Sequence, residues 1–250
     1  MLNKLYEKNE VLFAVLWILV YCFVLVPIRG NLGDESIWMT LTLFLFAAGI
    51  TVFVKTNHLE GKYGLTGWPE STKRYLYFLP LWIITCGNLW GGISPAHKGA
   101  AQLFAVLSML LVGYVEEMLF RGFLFKALIP KNGIVAAVII SSVTFGMGHI
   151  VNLLTGQGNL ETIVQIIYAV SLGFLFTLVF YKSGSLFPCI ASHSLIDVFS
   201  RFAVPSEAVD RIYVIAAIIL AVAYSVYLWK LKDEKRGQDS GARGQDQDSV

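Results

Sequence analysis

The sequence predicts an all-α, polytopic membrane bundle of about eight transmembrane helices, and three observations carry that expectation. Apolar residues fill 56% of the 250 positions and charged residues only 14%, whereas soluble domains hold about half and about a quarter. The apolar residues gather into eight runs, near 11–28, 36–54, 75–93, 101–126, 133–151, 161–181, 186–203 and 212–229, each close to the ~20 residues a helix needs to cross a bilayer. No run has the alternation of a barrel strand, and backbone amides deprived of water must pair within a helix. A soluble globular enzyme does not fit this composition. A net charge of +2 supplies no basic field, so nucleic acid is not an expected partner.

The runs read in order as follows. The first is expected to be a retained helix rather than a secretory signal, because Lys4 and Lys8 alternate with Glu7 and Glu10 and no small-residue cleavage site follows. The second run is featureless. The connection from Lys55 to Arg74 is the longest on its side; it is glycine-rich around Trp68-Pro69 and has no clear amphipathic repeat. The third run holds Asn88 and a Gly87/Gly91 pair, a spacing too common in membrane helices to define an oligomer, so the oligomeric state stays open. The fourth carries Glu116, Glu117 and Arg121, the fifth His149, the sixth Gln165, and the seventh His193 and Asp197, while the eighth is apolar throughout. Cys22, Cys86 and Cys189 lie far apart within apolar runs, without metal or disulfide spacing. Residues 1–232 are thus one integral membrane domain, and 233–250, polar up to Val250, a disordered cytoplasmic tail. No internal repeat supports an inverted-repeat transporter.

Orientation follows from the positive residues. Lys4, Lys8, Lys55, Lys62, Lys73, Arg74, Lys126, Lys131, Lys182, Lys230, Lys232, Lys235, Arg236 and Arg243 fall on the side of the termini, against Arg29, Lys98, Arg201 and Arg211 opposite, with Arg121 inside a helix. Since Lys and Arg accumulate in cytoplasmic loops, both termini are expected in the cytoplasm of a multi-pass protein of the cell membrane.

Ionisable residues within spans cost about 2.5–3.5 kcal/mol each on insertion scales and usually serve a function. Here they converge on the fourth, fifth and seventh runs, which implies a common buried or water-filled cavity. Glu117 and Arg121 are four apart and share a helical face, so they are expected to pair; Glu116 points about 100° away and is left to hold a water, a proton or a metal. His193 and Asp197 are also four apart, so the carboxylate can accept the imidazole N–H and fix its tautomer. Phe145 stands one turn from His149. His58 and His97 are read as solvated loop residues. Zinc, serine and aspartyl protease motifs of the familiar kinds are missing.

EEMLFR at 116–121, FGMGH at 145–149 and HSLID at 193–197 resemble, in order and spacing, the EExxxR, FxxxH and HxxxN/D motifs of the CAAX-processing and bacteriocin-processing family of intramembrane endopeptidases. The resemblance covers about residues 100–205 and implies hydrolysis, within the membrane, of a peptide bond in a membrane-embedded peptide or protein. It implies that Glu116 and His149 activate a water, that Glu117 with Arg121 holds Glu116, with Phe145 in support, and that His193 with Asp197 stabilises the oxyanion. Asp197 stands where eukaryotic relatives carry Asn, and an ionised Asp cannot donate to an oxyanion. Glu116, His149 and His193 also resemble a two-histidine, one-carboxylate zinc set, so a metal-free site and a zinc site both remain open. A non-catalytic immunity or partner-binding protein, and a proton-coupled transporter, are the competing readings.

Depth poses a difficulty. Counting 1.5 Å per residue from the cytoplasmic ends puts Glu116 about 15 Å, His193 about 10 Å and His149 about 24 Å into the membrane. A bent fourth helix, or a fifth that starts late after Pro130 and Gly133, would bring them together. The resemblance implies a cavity nearer the cytoplasmic face.

Overall fold

The computed structural model describes residues 2–69 and 78–231. Among these every named element is a helix, with one isolated bridge between Ile93 and Ala203. In chain order the helices are α1 (Leu2–Lys8), α2 (Glu10–Leu32), α3 (Ile37–Thr56), α4 (Phe78–Cys86), α5 (Ala100–Glu117), α6 (Lys126–Met147), α7 (Asn159–Ser183), α8 (Phe187–Ser200) and α9 (Glu207–Lys230). Caps set several boundaries: Asn9 and Ser36 accept hydrogen bonds from Leu12 N and Met39 N, each at 3.2 Å, and start α2 and α3. Five stretches are long and apolar enough to cross a membrane: α2, α3, the run Ala100–Thr155, α7 and α9.

The run Ala100–Thr155 accounts for two of the expected spans. Gly133 adopts φ 73° and ψ 170°, outside helical space and open to glycine, and the chain doubles back there. The return is tight: Ser141 Oγ donates to Phe120 O at 2.9 Å, although the two residues would lie about 30 Å apart along a straight helix. The fourth expected span is also not a uniform α-helix, since Met118–Phe125 winds as a π-helix. The fifth ends in a 3₁₀ stretch, Gly148–Thr155, that carries His149.

The seventh expected span shrinks most. α8 has 14 residues, about 21 Å of helix against a core of ~30 Å. It is a central post rather than a lipid-facing crossing: Cys189, Ser192, His193 and Ser194 are buried. Glycines let neighbours approach it. A Cβ on Gly113 of α5 would meet the Ser194 backbone N at 2.5 Å. Of the third expected span, 75–77 lie outside the described residues, as do Lys73, Arg74 and the tail 233–250; the rest is α4 and a single 3₁₀ turn, Gly87–Leu89. The described part of the long connection between α3 and α4 is packed: Leu186 N donates to Gly64 O at 2.9 Å and Ser185 Oγ to Gly67 O at 2.6 Å.

Candidate active site

Glu116, Glu117, His149, His193 and Asp197 come from α5, from the 3₁₀ stretch after α6, and from α8. Glu116, His149, His193 and Asp197 line one cavity of about 430 Å³. Its other polar lining includes Tyr21, Arg29, Asn88, Gln165 and Arg201.

The two adjacent glutamates address one imidazole from both sides. Glu117 Oε1 lies 2.8 Å from His193 Nδ1 and also accepts from Arg121 Nη1 at 2.9 Å. A carboxylate paired with arginine is an acceptor, so His193 carries a proton on Nδ1. Its Nε2 then faces the cavity, 3.7 Å from Glu116 Oε2 and 3.6 Å from Asp197 Oδ2. Both separations are too long for direct hydrogen bonds and suit a bridging water. The partner that orients the ring is therefore Glu117, across the helix interface, and not Asp197 one turn away on the same helix.

Arg121 and Glu117 are wholly unexposed. Arg121 Nε and Nη2 and Glu117 Oε2 have no hydrogen-bond partner among the described residues, so the ion pair is not held by polar contacts alone. The guanidinium instead lies over Phe145, 4.0 Å from its ring centre, and 5.6 Å from that of Phe176, a cation–π arrangement that compensates part of the desolvation. Phe145 is the hub of the site: its ring also meets His149 at 5.8 Å, His193 at 5.6 Å and Phe120 at 5.2 Å, each edge-on. Among the described residues His149 has no hydrogen bond or ion pair of its own, and only Phe145 links it to His193. The bend at Gly133 and the 3₁₀ winding remove the depth mismatch, because His149 reaches the cavity from a segment that restarts after Gly133 and ends in the 3₁₀ stretch Gly148–Thr155.

Tyr21 was not singled out in the sequence. Its hydroxyl donates to Glu116 Oε1 at 2.8 Å, so α2, apolar by composition, supplies the nearest hydrogen bond to the carboxylate. The available signal is a phenol in mid-span, where a buried hydroxyl requires a partner. The same signal marks Tyr168 and Tyr213, whose hydroxyls meet at 2.7 Å in the cavity wall. Gln165 Oε1 accepts from Asn152 and Gln157 at 2.8 and 2.9 Å and braces the 3₁₀ stretch.

No group of three His, Cys, Asp or Glu side chains among the described residues is placed to hold a metal ion. Glu116 and His193 approach one another, but His149 does not complete a ligand set with them, so the zinc arrangement is not assembled by these donors.

Residues 99–199 match the family model for Rce1-like proteins, described as type II CAAX prenyl endopeptidase Rce1-like. No curated protein and no solved structure gives a significant match.

Proposed function

We propose that the chain hydrolyses a peptide bond in a membrane-associated peptide with a water held between Glu116 and His193. The match of residues 99–199 to the Rce1-like family model supports a CAAX-type intramembrane protease in general terms. The observation that supports the finer reading is the flanking of one imidazole by adjacent glutamates: Nδ1 tied to Glu117 at 2.8 Å, Nε2 turned toward Glu116 at 3.7 Å.

With Nδ1 protonated, a neutral His193 presents a lone pair at Nε2. That nitrogen and Glu116 Oε2 are then two acceptors for the two protons of one water, whose own lone pairs point into the cavity. Glu116 takes a proton as the water oxygen adds to the scissile carbonyl carbon, and returns it to the leaving amine as the C–N bond breaks. Tyr21 keeps the Glu116 carboxylate aimed. His149, across Phe145, supplies an N–H toward the oxyanion. Asp197 faces the same water from the far side of Nε2. Glu117 and Arg121 act through His193 as positioning residues.

The test is cleavage of a membrane-anchored peptide by purified protein in liposomes. Glu116→Gln and His193→Ala are each expected to lower kcat by about 10²–10⁴-fold, the range for loss of a general base, with folding unchanged by circular dichroism. Full cleavage by folded Glu116→Gln protein would remove Glu116 as the base, whereas no cleavage by the wild-type protein, with a cellular function that survives Glu116→Gln, would favour the non-catalytic reading. A transporter finds less support, since beyond Glu117 and Arg121 the rings of Phe13, Phe53, Tyr63 and Phe123 pack together and offer no continuation of the polar path.

A further inference from the structure

The cavity has a floor and a mouth, on opposite faces of the bundle. Beyond Glu116, toward the face that carries α1, the described residues are closely packed. Glu117 and Arg121 are unexposed, and past them Phe123 is 2% exposed and Tyr63 is 1% exposed. The Phe123 ring meets Phe13, Phe53 and Tyr63 with centroids 5.2, 6.0 and 5.3 Å apart. Tyr63 belongs to the α3–α4 connection, which Lys62 ties down through Glu10 at 2.6 Å and the Tyr6 hydroxyl at 2.7 Å. This aromatic plug closes the site on the side of the chain start.

In the other direction the lining continues. It follows α2 from Tyr21 to Arg29 and α8 from His193 to Arg201, about 12 Å of helix in each case. It ends at Asp34, in the α2–α3 turn, and at exposed Asp210, in the first turn of α9. Arg29 Nε and Arg201 Nη2 share Asp34, at 3.0 and 3.4 Å. The mouth is thus polar and belongs to the face opposite α1.

The charge count assigns these faces to sides of the membrane. Among the described residues Lys4, Lys8, Lys55, Lys62, Lys126, Lys131, Lys182 and Lys230 lie on the plugged face, against Arg29, Lys98, Arg201 and Arg211 on the open one, and the face rich in Lys and Arg is cytoplasmic. We infer that the cavity is entered from the extracytoplasmic side, and that its substrate is a peptide segment presented at the outer surface of the membrane. The word "peptide" in that statement rests on the protease reading above; the route of access does not. The family resemblance implies a cavity nearer the cytoplasmic face and leaves the side of its mouth open; the aromatic plug is the physical reason for placing the mouth on the opposite face.

Cys22 provides a native reporter, because it lines the cavity next to Tyr21, whereas Cys189 is fully buried and Cys86 is exposed. In the full chain with Cys86→Ser, expressed in intact cells, a membrane-impermeant cationic thiosulfonate is applied and the thiols left unreacted are counted with a maleimide after solubilisation. Three further single variants set the frame: Asp210→Cys and Ser200→Cys at the mouth, and Thr56→Cys at the end of α3 on the plugged face. The expected result is that Cys22, Asp210→Cys and Ser200→Cys are blocked from outside, whereas Thr56→Cys is blocked only after permeabilisation. Blocking of the mouth positions only after permeabilisation overturns the inference. So does failure of both Cys22 and Ser200→Cys to react from outside. Because labelling needs no turnover, the same pattern is expected in Glu116→Gln protein; an inactive wild-type chain that labels from outside sinks the protease reading and leaves the access route standing.

Discussion

Glu117 Oε1 accepts from Arg121 and from His193 at once, so this one oxygen links the helix pairing to the orientation of the imidazole. Glu117→Gln keeps the shape but replaces a charge facing a buried guanidinium, and breaking a buried pair from one side costs about 3–5 kcal/mol. A large fall in Tm is expected by differential scanning fluorimetry in detergent, with Arg121→Met less harmful than Arg121→Glu. Tyr21 acts differently. Tyr21→Phe removes one hydrogen bond to a carboxylate, worth about 1.5–3 kcal/mol; kcat is expected to fall by roughly tenfold or more while Tm moves little, which separates positioning from packing. The pairing of Glu117 with Arg121 is legible in the sequence because it depends on spacing within one helix. The hydrogen bond from Tyr21 to Glu116 and the choice of Glu117 over Asp197 as partner of His193 are not, because both depend on which faces of distant helices meet.

At the scale of elements, close approach governs the site. Gly113, one turn before Glu117 on α5, sits against the backbone of Ser194, the residue after His193 on α8, so separation of these helices pulls the glutamates from the imidazole. Gly113→Ala must displace backbone, not a flexible side chain. It is expected to lower Tm and to cost more activity than a comparable change on the lipid-exposed side, such as Leu103→Ala, with kcat as the readout. The number of helices and their approximate limits follow from hydropathy. The shortness of α8, the break at Gly133 and the π-helical winding over Met118–Phe125 do not, since all three are settled by packing between segments. The Pro130 to Gly133 stretch is the exception: two poor helix formers close together do mark the place where the chain turns.

For the molecule as a whole, the closed face depends on Lys62. Burial opposes its charge, but hydrogen bonds to Glu10 and Tyr6 outweigh that and raise its pKa above the ordinary lysine value. A pKa raised on folding gives stability that is complete below the unfolded value and is lost as pH rises through the folded one. The tie therefore holds at neutral pH and weakens only in strongly alkaline solution. Lys62→Met is expected to lower Tm at pH 7, with the gap from wild type narrowing at alkaline pH. A chamber plugged at one end by Phe123 and Tyr63 also dictates its own traffic. Whatever is released must depart by the doorway through which the next molecule arrives, so short cleavage fragments should compete with intact peptide, and turnover should slow as they build up outside.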